Sequence, residues 1–151
     1  MKIFLASDHA GFELKEKIKK HLDKRKIKYK DFGTFSKESC DYPDFIIPTI
    51  KEVTRNKNNF GIILGGSGQG EAIAANKVKG IRAVVYYQHN LKIVKLSKEH
   101  NNANVLSLGA RFLTTKEALK AIDLWINTKF SRDKRHVRRL KKIEKFEKKG
   151  K

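Results

Sequence analysis

The chain has 151 residues, 39% hydrophobic and 34% charged, with a net charge of +19 and one cysteine. That length suits a single domain over 1–151 with a core of its own, its last few residues frayed. One cysteine excludes an intrachain disulfide framework, five histidines beside it show no zinc-ligand spacing, and no apolar run approaches the ~20 residues of a membrane span.

The start, "MKIFLASDHAG", is too short in apolar residues for a signal peptide, and Asp8 and His9 interrupt it, so a cytoplasmic protein is expected. The charge invites a nucleic-acid reading. Lysine outnumbers arginine 27 to 8, however, and is scattered over helix faces such as "ELKEKIKKHLDKRK", which favours a solvated surface. The exception is "RDKRHVRRLKKIEKFEKKGK", where the arginines cluster. Cys40 falls in a polar loop and reads as a bystander.

In chain order, "KIFLA" reads as a short buried strand, followed by the turn "SDHAG". A helix is expected from Phe12 to Lys26, because Leu14, Ile18 and Leu22 recur every four residues and make one apolar stripe. "IKYKDFG" fits a weaker strand, and "TFSKESCDYP" a polar loop. Pro43 suits a first helical position, with Ile46, Ile47, Ile50 and Val53 buried after it up to about Lys57. Pro48 predicts a kink or break inside that helix. "FGIIL" is a third strand, and "EAIAANKV" a helix of small residues from Glu71. "IRAVVYY" is a fourth strand, and residues 90–100 a helix through Leu91, Ile93, Val94 and Leu96. "NVLSLGA" is a fifth strand. In "TTKEALKAIDLWINTKF", Thr114 and Glu117 match a capping box, and Ala118, Ile122, Trp125 and Ile126 share a face. A basic helix from about Arg132 to Glu147 comes last.

Apolar strands alternating with helices predict a parallel sheet covered on both faces, a Rossmann-like three-layer α/β/α sandwich with five strands and a basic C-terminal helix. Ligands of such sheets sit beyond the carboxyl ends of the strands, which selects "SDHAG", "GGSGQGE" and "GAR" as site loops.

The glycine loop lacks the G-x-G-x-x-G spacing and the later acid of a dinucleotide site, and it lacks the Gly-Lys-Ser/Thr of a phosphate-binding loop. What remains is a strand, a glycine turn and a helix N-terminus. There, main-chain N–H groups and the Ser67 hydroxyl suit an oxyanion, although glycines that only permit close packing are an alternative. Glu71 stands at that helix start. The helix dipole lowers its pKa and burial raises it, so burial must outweigh the dipole if Glu71 is a base. A stabilising first-turn acid is the competing reading, and from chemistry alone the two stand level.

"SDHAGFELK", "DYPDF", "GIILGGSGQGEAIAANKVKGIRA", "KEHNNANVLSLGARF" and "RHVRRL", in this order over residues 1 to about 145, resemble the ribose-5-phosphate isomerase type B family, the RpiB/LacAB sugar-phosphate isomerases. The resemblance implies an aldose–ketose isomerase that interconverts D-ribose 5-phosphate and D-ribulose 5-phosphate through a cis-enediolate, in pentose phosphate metabolism, without metal or cofactor. A hexose 6-phosphate of the allose or galactose type is the alternative substrate. It also implies a homodimer or dimer of dimers with shared active sites. One branch of the family uses a cysteine base at the end of the third strand, where this chain has Gly65. The other uses the glutamate of a "GGSG-x-GE" loop, which places the base on Glu71.

By position, the resemblance makes His100 the ring-opening residue and Asn101 a substrate ligand. Ser67 and the amides of Gly66, Gly68, Gln69 and Gly70 become the anion hole, and Asp8 and His9 substrate ligands. Arg111, Arg135 and Arg139 become phosphate ligands, for which forked guanidinium hydrogen bonds suit the chemistry. Without the resemblance, His100 reads as a polar helix end, Asp8 equally as a helix cap, and the terminal arginines as a solvated face. Tyr42 falls near the site with its role open. His136 and Arg138 are expected to point elsewhere on the terminal helix. A nucleic-acid-binding module remains the reading from another class, against which no stacking motif or recognition signature is present.

Overall fold

The structure, a computed structural model, describes residues 2–149. Among the described residues, five strands and six helices follow in the order β1 (Lys2–Ser7), α1 (Phe12–Lys24), β2 (Tyr29–Asp31), α2 (Tyr42–Thr54), β3 (Asn59–Gly65), α3 (Gln69–Asn76), β4 (Ala83–Tyr86), α4 (Leu91–Asn101), β5 (Val105–Gly109), α5 (Thr115–Asn127) and α6 (Lys134–Lys149). The sheet has the order β2-β1-β3-β5-β4, and every pairing is parallel.

Successive strand residues serve opposite faces. Ile3, Leu5, Ile62, Leu64, Leu106 and Leu108 pack with Leu14, Ile18 and Leu22 of α1, Val94 of α4 and Ala118, Ile122 and Trp125 of α5. Phe4, Ala6, Ile63 and Val105 pack with Ile46, Ile50 and Val53 of α2 and Ala75 of α3. The register sets Ile62 beside Leu5 on one side and Leu106 on the other, so each layer of the core crosses the three central strands. This is the expected Rossmann-like sandwich.

Several local expectations change. α2 runs through Pro48 without a break. Its buried Ile46, Thr49, Ile50 and Val53 press on β1 and β3, and that packing outweighs one lost helical hydrogen bond. Ile47 is only half-buried. On α4 the buried positions are Val94, Ser97 and Lys98, while Ile93 is 47% exposed. The helix turns the face its neighbours fit toward the core, although the apolar count alone favoured another. α5 ends at Asn127, three residues short of Phe130, because Thr128 is extended. α6 starts at Lys134 and runs through Lys149, into the "KKGK" expected to fray. Gly150 and Lys151 lie outside the described residues.

The carboxyl ends of β1, β3 and β5 are tied together beyond the strands. Asp8 N–H donates to the Leu64 carbonyl at 3.1 Å, Ala110 N–H to Gly65 at 2.8 Å, and Arg111 N–H to Gly66 at 3.0 Å. The loops after these strands therefore meet at one edge of the sheet.

Candidate active site

A cavity of about 320 Å³ opens at that edge. Asp8, His9 and Ala10 line it from the β1 loop, Tyr42 from the start of α2, Gly66, Ser67, Gly70 and Glu71 from the β3–α3 loop, and Arg111 from the end of β5. Of these only Ala10 was not singled out from the sequence, since a methyl carries no chemical signal.

The glycines are cut to fit functional side chains. A methyl group at residue 65 would fall on the Glu71 carboxylate. At residue 66 it would touch the Arg111 guanidinium at 3.4 Å, and at residue 70 it would meet the Tyr42 ring at 2.8 Å. Gly68 has a different reason, a φ of +77° at the N-cap of α3 that L side chains rarely adopt. Its carbonyl accepts from Ser107 Oγ at 2.6 Å, which anchors the turn to β5. Ser67 Oγ accepts from Gln69 N–H at 3.3 Å.

Glu71 sits in the first turn of α3 and is 4% exposed. Burial lifts its pKa above the usual carboxylate range, and the Asp8 charge adds to the rise, while the main-chain amide of Glu71 itself opposes it. The competition read from the sequence thus falls on the side of burial. Asp8 is itself held, with Oδ1 accepting from Gly11 N–H at 2.9 Å. His9 Nδ1 faces Cys40 N–H at 3.4 Å, so the loop carrying Cys40 orients the imidazole. A carboxylate with raised pKa beside a helix N-terminus, a hydroxyl and a guanidinium suits proton transfer on an anionic substrate. Among the described residues no cluster of three or more His, Cys, Asp or Glu comes together to hold a metal ion.

Six of the expected residues stand apart from this cavity. Gly68 is turned toward β5, and Gln69 lies in a separate depression with Ile73 and Asn76. His100 and Asn101 end α4, and Arg135 and Arg139 are exposed on α6. None of these four lines the space beside Glu71.

His136 points away from the exposed face that carries Arg135 and Arg139, and packs inward. It is the one buried residue among those described of α6, at 3% exposure, and its ring lies on that of His100 with centroids 4.2 Å apart and planes 32° apart. Ser131 Oγ reaches His136 Nδ1 at 2.8 Å, and Ser131 N–H donates to the Glu99 carbonyl at 3.1 Å. Burial, then the His100 and Arg135 charges, push the His136 imidazole below its ordinary pKa. The sequence signal was a lone uncharged ring in a basic helix.

The carboxyl edge of a parallel sheet, with a buried acid at a helix start, a glycine turn and a guanidinium, makes this an α/β protein with a site suited to proton transfer on a small anion. The model of the ribose/galactose isomerase family matches residues 3–143, and the chain belongs to that family. Ribose-5-phosphate isomerase B of Mycolicibacterium paratuberculosis is 40% identical over 148 residues, covering 97% of this chain and 92% of the relative. The structure of Clostridium thermocellum ribose-5-phosphate isomerase B superposes with a TM-score of 0.93 at 43% identity, covering 100% of both chains. Mycoplasma genitalium ribose-5-phosphate isomerase B, solved with bound ribulose-5-phosphate, gives a TM-score of 0.92 at 39% identity over 98% of this chain and 97% of that one.

Proposed function

We propose that this chain interconverts D-ribose 5-phosphate and D-ribulose 5-phosphate, with Glu71 carrying a proton between C2 and C1 through a cis-enediolate. The observation that carries the reading is the Glu71 carboxylate, buried and raised in pKa, filling the space that a side chain at residue 65 would take. In this family the alternative base is a cysteine at that very position. Here the space belongs to the carboxylate of the glutamate branch. The substrate follows from the relatives, which carry this activity in their names, and from the ribulose-5-phosphate bound to the Mycoplasma genitalium enzyme.

The reaction balances without an external electron acceptor. Glu71 takes the C2 proton of the open-chain aldose and returns a proton to C1, while one proton passes from O2 to O1. Ser67 and the amides of the glycine turn hold the oxyanion that forms meanwhile, and Arg111 holds the phosphate. Asp8, His9 and Tyr42 orient the sugar. His100 opens the furanose ring, with Asn101 beside it. Because His100, Asn101, Arg135 and Arg139 do not line the Glu71 cavity, we assign them to the site of a second copy. The working unit is then a homodimer, or a dimer of dimers, with shared sites. A cytoplasmic location accords with a phosphorylated sugar, which does not cross membranes unaided.

Glu71→Gln is the direct test. Turnover should fall by about 10²–10⁴-fold, the usual contribution of a general base, with substrate binding retained. Near-normal turnover would end the assignment. Assayed with EDTA present, wild-type conversion should persist, and kcat/KM should favour the pentose phosphate over allose or galactose 6-phosphate.

A further inference from the structure

Lys98 is 3% exposed, and its ammonium sits against aromatic rings rather than in water. Its Nζ lies 3.9 Å from the centroid of the Phe60 ring and 4.5 Å from that of Trp125. The two rings meet edge to face, 5.4 Å apart, and so form a two-walled aromatic cage. The ammonium donates forward in the chain, to the Ala103 carbonyl at 3.0 Å. This closes a loop around 99–102, the turn in which α4 ends. Within that turn Asn102 is left-handed, and its N–H and that of Ala103 return to the Lys98 and Ser97 carbonyls at 3.0 Å each.

A methionine would fill the same space at no cost in desolvation. Burial, with the Arg82 charge adding to it, lowers the ammonium to a pKa of about 8, the mark of a charge kept at an energetic cost. In return, the lysine supplies a directed bond and two cation–π contacts that fix where the helix terminus points.

We propose that Lys98 is a positioning residue for ring opening: anchored in the Phe60–Trp125 cage and bonded to the Ala103 carbonyl, it holds the α4 terminus that presents His100 and Asn101. The inference rests on the assignment of ring opening to His100. A small displacement of a reacting group is costly, because effective concentration depends steeply on geometry.

The experiment separates ring chemistry from proton abstraction. Net conversion of ribose 5-phosphate needs the ring opened. Exchange of the C1 proton of ribulose 5-phosphate in D2O starts from an open chain and needs only the base. For Lys98→Met, kcat for net conversion should fall about tenfold, while the exchange rate at saturating ribulose 5-phosphate stays within about twofold of wild type. Phe60→Leu, in β3, removes one wall of the cage and leaves the sequence of α4 unchanged. It should show the same split at about threefold, and should add nothing once Lys98 is replaced. His100→Ala is the control and should show the split in its largest form. A split at His100 but none at Lys98 or Phe60 overturns the proposal alone. Equal loss of both reactions in Lys98→Met, in proportion to folded protein, marks a purely structural lysine and overturns it too. No split at His100 overturns the ring-opening assignment and the proposal together. If Lys98→Met does not fold, Phe60→Leu decides by the same two rates.

Discussion

Glu71 and Gly65 share one volume: the carboxylate of one fills the space where the other would carry a side chain. Gly65 lies in β3 outside the positive-φ region, so alanine there meets no backbone strain, and the three atoms nearest its methyl all belong to the Glu71 carboxyl. Gly65→Ala should therefore fold normally by circular dichroism while kcat falls about a hundredfold, the cost of a misplaced base. The raised pKa of Glu71 also predicts a stability effect. A carboxyl whose folded pKa lies above its unfolded value stabilises the fold when protonated, and that contribution is lost as pH rises through the folded pKa. The Tm of Glu71→Gln minus that of wild type should therefore grow as pH is raised from about 4 to about 7, since the unfolded carboxyl titrates near 4.3. A difference that shrinks over this range would contradict the raised pKa. At this scale the glutamate was legible as a first-turn acid beside a glycine turn. Its burial was not, because the groups that shield it come from β1, α2 and the end of β5, far away in sequence.

Among the elements, α5 shows local rules deciding the outcome. Thr114 Oγ1 accepts from Glu117 N–H at 3.3 Å, and Glu117 Oε2 accepts from Thr114 N–H at 2.8 Å, the reciprocal box read from the sequence. The Thr114 hydroxyl and amide, with His89, hold the Glu117 carboxyl down at about 2. Loss of such a cap in Thr114→Ala should lower Tm by about 3–4 °C. α2 and α4 show the limits of local rules. Pro48 signals a break that tertiary packing overrides, and the apolar residues of α4 favour a face different from the one that is buried. Lys98 goes inward because Phe60 and Trp125 offer its cation two rings, a partnership that no helical periodicity encodes.

For the whole molecule, the proposed base and the proposed ring-opening group belong to different regions of one chain, and the proposed shared sites would join them. Complementation tests this. Glu71→Gln and His100→Ala should each be nearly inactive, and after mixing and subunit exchange about a quarter of wild-type activity should return, since half the dimers are mixed and each has one intact site. No recovery, with exchange verified by mass, would place all the groups in one subunit. The sequence by itself determined the order of strands and helices, the parallel sheet and the three loops that carry the site, because hydrophobic periodicity, caps and glycine turns act over a few residues. It also placed Glu71 and Arg111 in one group through the family resemblance. Only the tertiary structure decided that Glu71 is buried with a raised pKa, that His136 lies on His100, and that Lys98 is caged by two rings. Each of these depends on desolvation and contact between segments distant in the chain, which no local pattern of residues records.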